Sequence, residues 1–129
     1  MERLVNCNVD VHIEVIESIS GGNGAFEVLF STEYKETPTC KRYKLIFRGV
    51  EELRYSTEFL PNARGEDEYL ERPEGHTDSC IFIVENSKLI TPLVQQLRGP
   101  GLKHYFLHDW TDTIIDILAL VEPELVEVE

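Results

Sequence analysis

The 129-residue chain is short of positive charge, of cysteine and of long apolar runs. Twelve Lys and Arg stand against 24 Asp and Glu, a formal net charge of −12. A field of that sign repels phosphate backbones and anionic membranes, which argues against nucleic acid and membrane as partners. Three cysteines, Cys7, Cys40 and Cys80, form an odd and scattered set. They do not suit a disulfide framework, and without Cys-x-x-Cys spacing they do not suit a thiolate zinc site. Such usage fits a reducing compartment and predicts a cytoplasmic protein. No stretch approaches the roughly 20 apolar residues that a membrane helix needs. The opening, MERLVNCNVDVHIEV, lacks the basic-then-apolar pattern of a signal peptide. Also missing are the Walker GxxxxGK[ST] loop, GxSxG, HExxH and the EF-hand spacing. GGNG at 21–24 precedes no helix and reads as a turn rather than a phosphate cradle.

What is present is a chain that is 42% hydrophobic, enough for one core and one domain over 1–129. Apolar residues alternate with polar ones at Val9, Val11, Ile13 and Val15, a period of two that predicts a strand over 9–16. SISGGNG follows as turn chemistry, and AFEVLFS predicts a second strand over 25–31. RYKLIF (42–47) predicts a third strand, with Tyr43, Leu45 and Phe47 inward. VEELRYS (50–56) is either a fourth strand or the continuation of the third beyond a bulge at Gly49. CIFIV (80–84) is apolar on both faces and belongs in the middle of a sheet. Thr91 as N-cap and Pro92 in the first turn predict a short helix over 91–97. LKHYFLH (102–108) and DTIIDILAL (112–120) flank a turn. The second of these also carries helical spacing at Ile114, Ile117, Leu118 and Val121, but its isoleucines favour a strand. These elements do not alternate as βαβ units. They predict a mainly β (α+β) fold, an antiparallel sandwich or open barrel of about seven strands with one short helix.

Functional groups crowd into KHYFLHDW (103–110). On a strand, His104 and His108 share a face, with Cα atoms about 13 Å apart, too far for one zinc ion. Metal and cofactor are therefore not expected. His76, in PEGHTDSC, has an acid on either side. His76, His104 and His108 with nearby acids are the residues a small ligand-binding or hydrolytic β-barrel would use. Whether there is an enzyme at all stays open, with the absence of any catalytic motif weighing against one.

Charge points elsewhere. From Glu66 to Asp78 there are six acids and one base, and from Asp109 onward seven acids and no Lys or Arg. Bases collect between Lys35 and Arg54. Glu66, Asp67, Glu68, Glu71, Asp109, Asp112 and Asp116 are thus expected to form a surface for a basic protein partner.

Three stretches carry a resemblance: YKLIFRGVEELRYS (43–56), IVENSKLI (83–90) and LKHYFLHDWTDTIIDILA (102–119). Together they resemble small, mostly uncharacterised bacterial cytosolic all-β domains, some of which act as immunity proteins beside secreted toxins. The likeness covers about half the chain and rests on hydrophobic pattern. It implies a non-enzymatic binding role, an immunity-like inhibitor of a basic enzyme such as a nuclease, and carries over no catalytic residue.

Overall fold

The computed structural model describes residues 2–33, 38–57, 81–111 and 113–128. In chain order they form β1 (Arg3–Asn6), β2 (Val15–Gly22), β3 (Ala25–Ser31), β4 (Arg42–Phe47), β5 (Val50–Thr57), β6 (Ile81–Glu85), α1 (Pro92–Arg98), β7 (Lys103–His108), β8 (Thr113–Ala119) and β9 (Glu124–Val128). All strand pairs are antiparallel. They build two sheets, a first in the order β1-β6-β7-β8-β5 and a second in the order β2-β3-β4-β9. The fold is a sandwich without barrel closure. It has nine strands among the described residues rather than about seven, because β1 and β9 are too short and too polar to announce themselves. No helix of the described residues is long and apolar enough to cross a membrane.

The two sheets meet through side chains of alternate phase. Val28, Phe30, Leu45 and Phe47 of the second sheet are buried, as are Ile81, Tyr105, Leu107, Ile115 and Ile117 of the first. The Phe47 and Tyr105 rings meet edge to face across the layer, with centroids 5.7 Å apart. Burial pushes the Tyr105 phenol well above its ordinary value, aided by the nearby Cys7 and Glu122.

The first hairpin is displaced from its expected position. Residues 9–14 are not strand. They run between the sheets, and Val9 and Ile13 are buried in the core on the way. The alternation there is real burial without a ladder. The strand starts at Val15 and runs through the SISGG stretch, and the turn is Asn23–Gly24 alone, both at positive φ (55° and 79°). Two consecutive left-handed residues make the turn whose twist matches that of the strands it joins.

VEELRYS proves to be a strand of the other sheet. Gly49, at φ 63°, lets the chain leave β4 and enter β5 with one further residue, Arg48, between the strands. A Cβ there would come within 3.3 Å of both Leu120 and Val121. The segment opposite makes the same crossing, since β8 leads into β9. The register runs from Arg42 opposite Val128 to Thr57 opposite Thr113, interrupted at the bend between Ile46–Glu124 and Val50–Ala119, where it slips by one residue, and again between Val50 and Glu52. The two strand pairs are thus one bent ribbon that belongs to both sheets, held at the bend by Leu120 N–H to the Gly49 carbonyl at 2.9 Å. Residues 113–119 are strand, as the isoleucines require. α1 begins at Pro92, with the Thr91 hydroxyl accepting from Val94 N–H at 3.2 Å.

Candidate functional site

The chemistry-bearing residues of β7 and β8 are placed by the strand alternation. His104 lies opposite Leu118, and Phe106 opposite Asp116. His104 and Asp116 are therefore diagonal neighbours on the face of the first sheet that points away from the second. Their side chains meet, with His104 Nε2 at 2.5 Å from Asp116 Oδ1. On the other side of the ring, Nδ1 lies 2.6 Å from the Ser87 hydroxyl. Ser87 sits just beyond β6, in a turn that Asn86 opens at φ 57°. Its Oγ accepts from Leu89 N–H at 3.1 Å, and its carbonyl accepts from Ile90 N–H at 3.3 Å. A neutral imidazole with its proton on Nε2 satisfies both neighbours: it donates to Asp116 and accepts from Ser87.

A hydroxyl, an imidazole and a carboxylate in series are the parts of an activated nucleophile. Two observations weigh against that use. His104 is 0% exposed and Asp116 3% exposed, so an imidazolium formed there would be out of contact with solvent. The amides beside Ser87, which would stabilise an oxyanion, are already engaged. Lys88 N–H donates to the buried Glu2 carboxylate at 2.9 Å, and Leu89 and Ile90 N–H close the turn on Ser87 itself. The arrangement joins the 86–90 turn to the sheet and gives both ring nitrogens of the buried imidazole a partner.

Asp109 is a second such anchor. It is 1% exposed. Oδ1 accepts from Thr111 N–H and hydroxyl and from Thr113 N–H at 2.8–2.9 Å, which shapes the β7–β8 turn. Oδ2 accepts from Ile16 N–H at 2.9 Å, which ties that turn to the first residues of β2 in the other sheet.

The expected acidic surface is therefore corrected at two positions. Asp109 and Asp116 are buried with inward partners, because a carboxylate beside a strand end or a buried imidazole is held by those donors. Glu66, Asp67, Glu68, Glu71, Asp112 and His76 lie outside the described residues. His104 is fully buried. His108 is half-buried, its ring 6.2 Å from that of Phe106. Among the described residues, no three His, Cys, Asp or Glu side chains are grouped so as to hold a metal ion. Sequence reasoning missed Ser87, and nothing in ENSKL marks it, since its role depends on which strand β6 pairs with.

The basic strip also looks different in three dimensions. Arg42 pairs with Glu17 at 2.9 Å, Lys44 with Glu27 at 3.4 Å, Arg48 with Glu124 at 3.0 Å and Arg54 with Glu52 at 3.0 Å. Arg3, Arg98 and Lys103 likewise have carboxylates within 4.0 Å. At least seven of the nine described Lys and Arg are thus matched by an acid. Comparison with known proteins finds no matching family model, no similar curated protein and no similar solved structure.

Proposed function

We propose that the protein is a non-enzymatic interaction domain, immunity-like in kind, that captures a basic protein partner such as a toxin nuclease. The distribution of charge carries this reading. The described residues hold 14 acids and nine bases, and three of those acids, Glu2, Asp109 and Asp116, are buried. Their outward charge is close to balanced. The remaining ten acids and three bases lie elsewhere in the sequence, and residues 58–80 alone hold seven acids against two bases. A partner steered by charge would respond mainly to that stretch, with Glu66, Asp67, Glu68 and Glu71 at its centre and Asp112 as a further acid. The occupied amides around Ser87 support the non-enzymatic half of the proposal.

The test is capture of proteins from the native host at low and high salt. Wild type is compared with a Glu66→Lys, Glu68→Lys, Asp112→Lys variant. Wild type is expected to retain basic proteins at low salt and to inhibit one of them once it is purified. The variant should lose both properties. Equal capture by both proteins at both salt levels sinks the proposal, because screening at physiological ionic strength acts over about 8 Å and must weaken a charge-steered contact.

The alternative, a small ligand-binding or hydrolytic domain acting through His76, His104 or His108, draws on one observation, the Ser87–His104–Asp116 series. A fluorophosphonate probe decides it. Stoichiometric labelling that Ser87→Ala abolishes would establish a nucleophile and replace the reading above.

A further inference from the structure

Among the described residues, four strands stand at sheet edges: β1 and β5 in the first sheet, β2 and β9 in the second. An edge is a row of backbone donors and acceptors that templates another strand unless it is blunted. Three of the four are blunted. β1 has four residues. β2 is bulged between Ile16 and Ser18 and ends in Gly21 and Gly22, the first at φ 135°. β9 has five residues and carries a glutamate on each face, Glu124 and Glu127, charges of the kind that guard an edge.

β5 differs. It has eight residues, and its Val50 amide donates to the Gly24 carbonyl at 2.9 Å, where the β2–β3 turn ends. Beyond that point, β8 is its only strand neighbour among the described residues. Glu52 and Arg54 stand on one face, paired at 3.0 Å, with side chains 40% and 44% exposed. Leu53 and Tyr55 alternate onto the core-facing side. Leu53 packs against the core, while Tyr55 is 56% exposed.

We propose that β5 is a self-complementary edge on which a second copy of this chain pairs, antiparallel, with Leu53 on the two-fold axis. In that register Glu52 lies opposite Arg54 of the second copy, and Arg54 opposite its Glu52. Two new ion pairs form from side chains that already stand beside each other. The two Leu53 side chains meet on the core-facing side. Tyr55 becomes the diagonal neighbour of Leu53 in the second copy, which takes an exposed ring out of water. A shift of one residue sets Leu53 against Arg54, and a shift of two sets Arg54 against Arg54. Charge thus selects one register. The contact is isologous and closes as a dimer. The irregularity between Val50 and Glu52 shortens the new ladder, so the dimer is weak and depends on concentration.

Sedimentation of the full chain over two decades of protein concentration tests this. Wild type should show a reversible monomer–dimer equilibrium that weakens with salt. Arg54→Glu alone and Glu52→Arg alone should each dimerise about tenfold more weakly or not at all, since facing charges become alike. An equimolar mixture of the two variants should form a heterodimer, because each acidic pair then faces a basic pair. Circular dichroism and melting of the single variants confirm that they fold. Wild type that stays monomeric throughout overturns the proposal. So does dimerisation of the single variants at wild-type strength, or a mixture that remains monomeric.

Discussion

The two sheets of this sandwich share one core but differ on their far faces. On the second sheet the outer face is in water. Glu27, Lys44 and Glu124 alternate there with Leu29, Ile46 and Val126, and the ion pairs run across the strands. On the first sheet the outer face is buried as well across β1, β6, β7 and β8, and only its β5 margin, with Glu52 and Arg54, is wet. Leu4, Phe82, Val84, Phe106 and Leu118 are all enclosed, and the Ser87–His104–Asp116 series lies among them. A sheet with one wet face needs only alternation. A sheet with two dry faces must satisfy every polar group it encloses, and this one does so with an imidazole bonded on both sides. The polar cluster that invites a catalytic reading is thus also what a doubly covered sheet requires.

The largest test of this contrast compares two apolar truncations. Phe82→Ala should cost about 3–5 kcal/mol of unfolding free energy, as for any enclosed aromatic. Val126→Ala, on the wet face, should cost about 0.5 kcal/mol. Denaturant titrations of both variants measure the difference. A small loss for Phe82→Ala would mean that the outer face of the first sheet is not a second core.

The middle test asks whether the sheets are joined by a polar bolt as well as by packing. Asp109→Ala leaves the amides of Ile16, Thr111 and Thr113 without their acceptor. It should cost about 2–3 kcal/mol, the range for buried groups stripped of a charged partner. Amide exchange should quicken at Ile16, in the other sheet, as well as in the β7–β8 turn. Acceleration confined to the turn would show that Asp109 does not tie the sheets together.

The smallest effect belongs to the surface. Arg48→Ala removes the Arg48–Glu124 pair, whose side chains are more than half exposed. It should change stability by less than about 1 kcal/mol, and by less still in high salt. A larger loss, seen in the same titrations, would mean that the ion pairs of the second sheet act as a network.

The same contrast explains what was legible in the sequence. IFIV read as a strand of a covered sheet because both its faces are apolar, and that is where it lies. TIIDILA carried helical spacing as well, and only its isoleucines pointed to the strand it forms. RYKLIF read correctly because one wet face leaves a clean alternation. The failures have two causes. Val9–Val15 alternates because a crossing segment buries every second residue or so, and alternation cannot distinguish that from a ladder. Asp109 and Asp116 looked like surface acids because single residues carry no sign of their partners. Asp116 is enclosed because Phe106 and His104 stand beside it, a fact of strand register that emerges only when β7 and β8 pair. Ser87 was unreadable for the same reason.

The bend at Gly49 has a consequence for motion. Because β4 runs into β5 opposite β8 running into β9, and the Leu120 N–H to Gly49 carbonyl bond joins the two ladders at the bend, opening either sheet along that side strains the other. Hydrogen exchange should therefore sort the molecule by connection rather than by sheet. The amides between Leu45 and Tyr55 that are bonded in the ladder, and those of their partners, should exchange together, through an opening close to global unfolding, while the outward amides of the β5 edge exchange sooner. β1 and the outer half of β2 should open locally and earlier. The protein would come apart as a bent ribbon with two loosened margins, not as two separating layers.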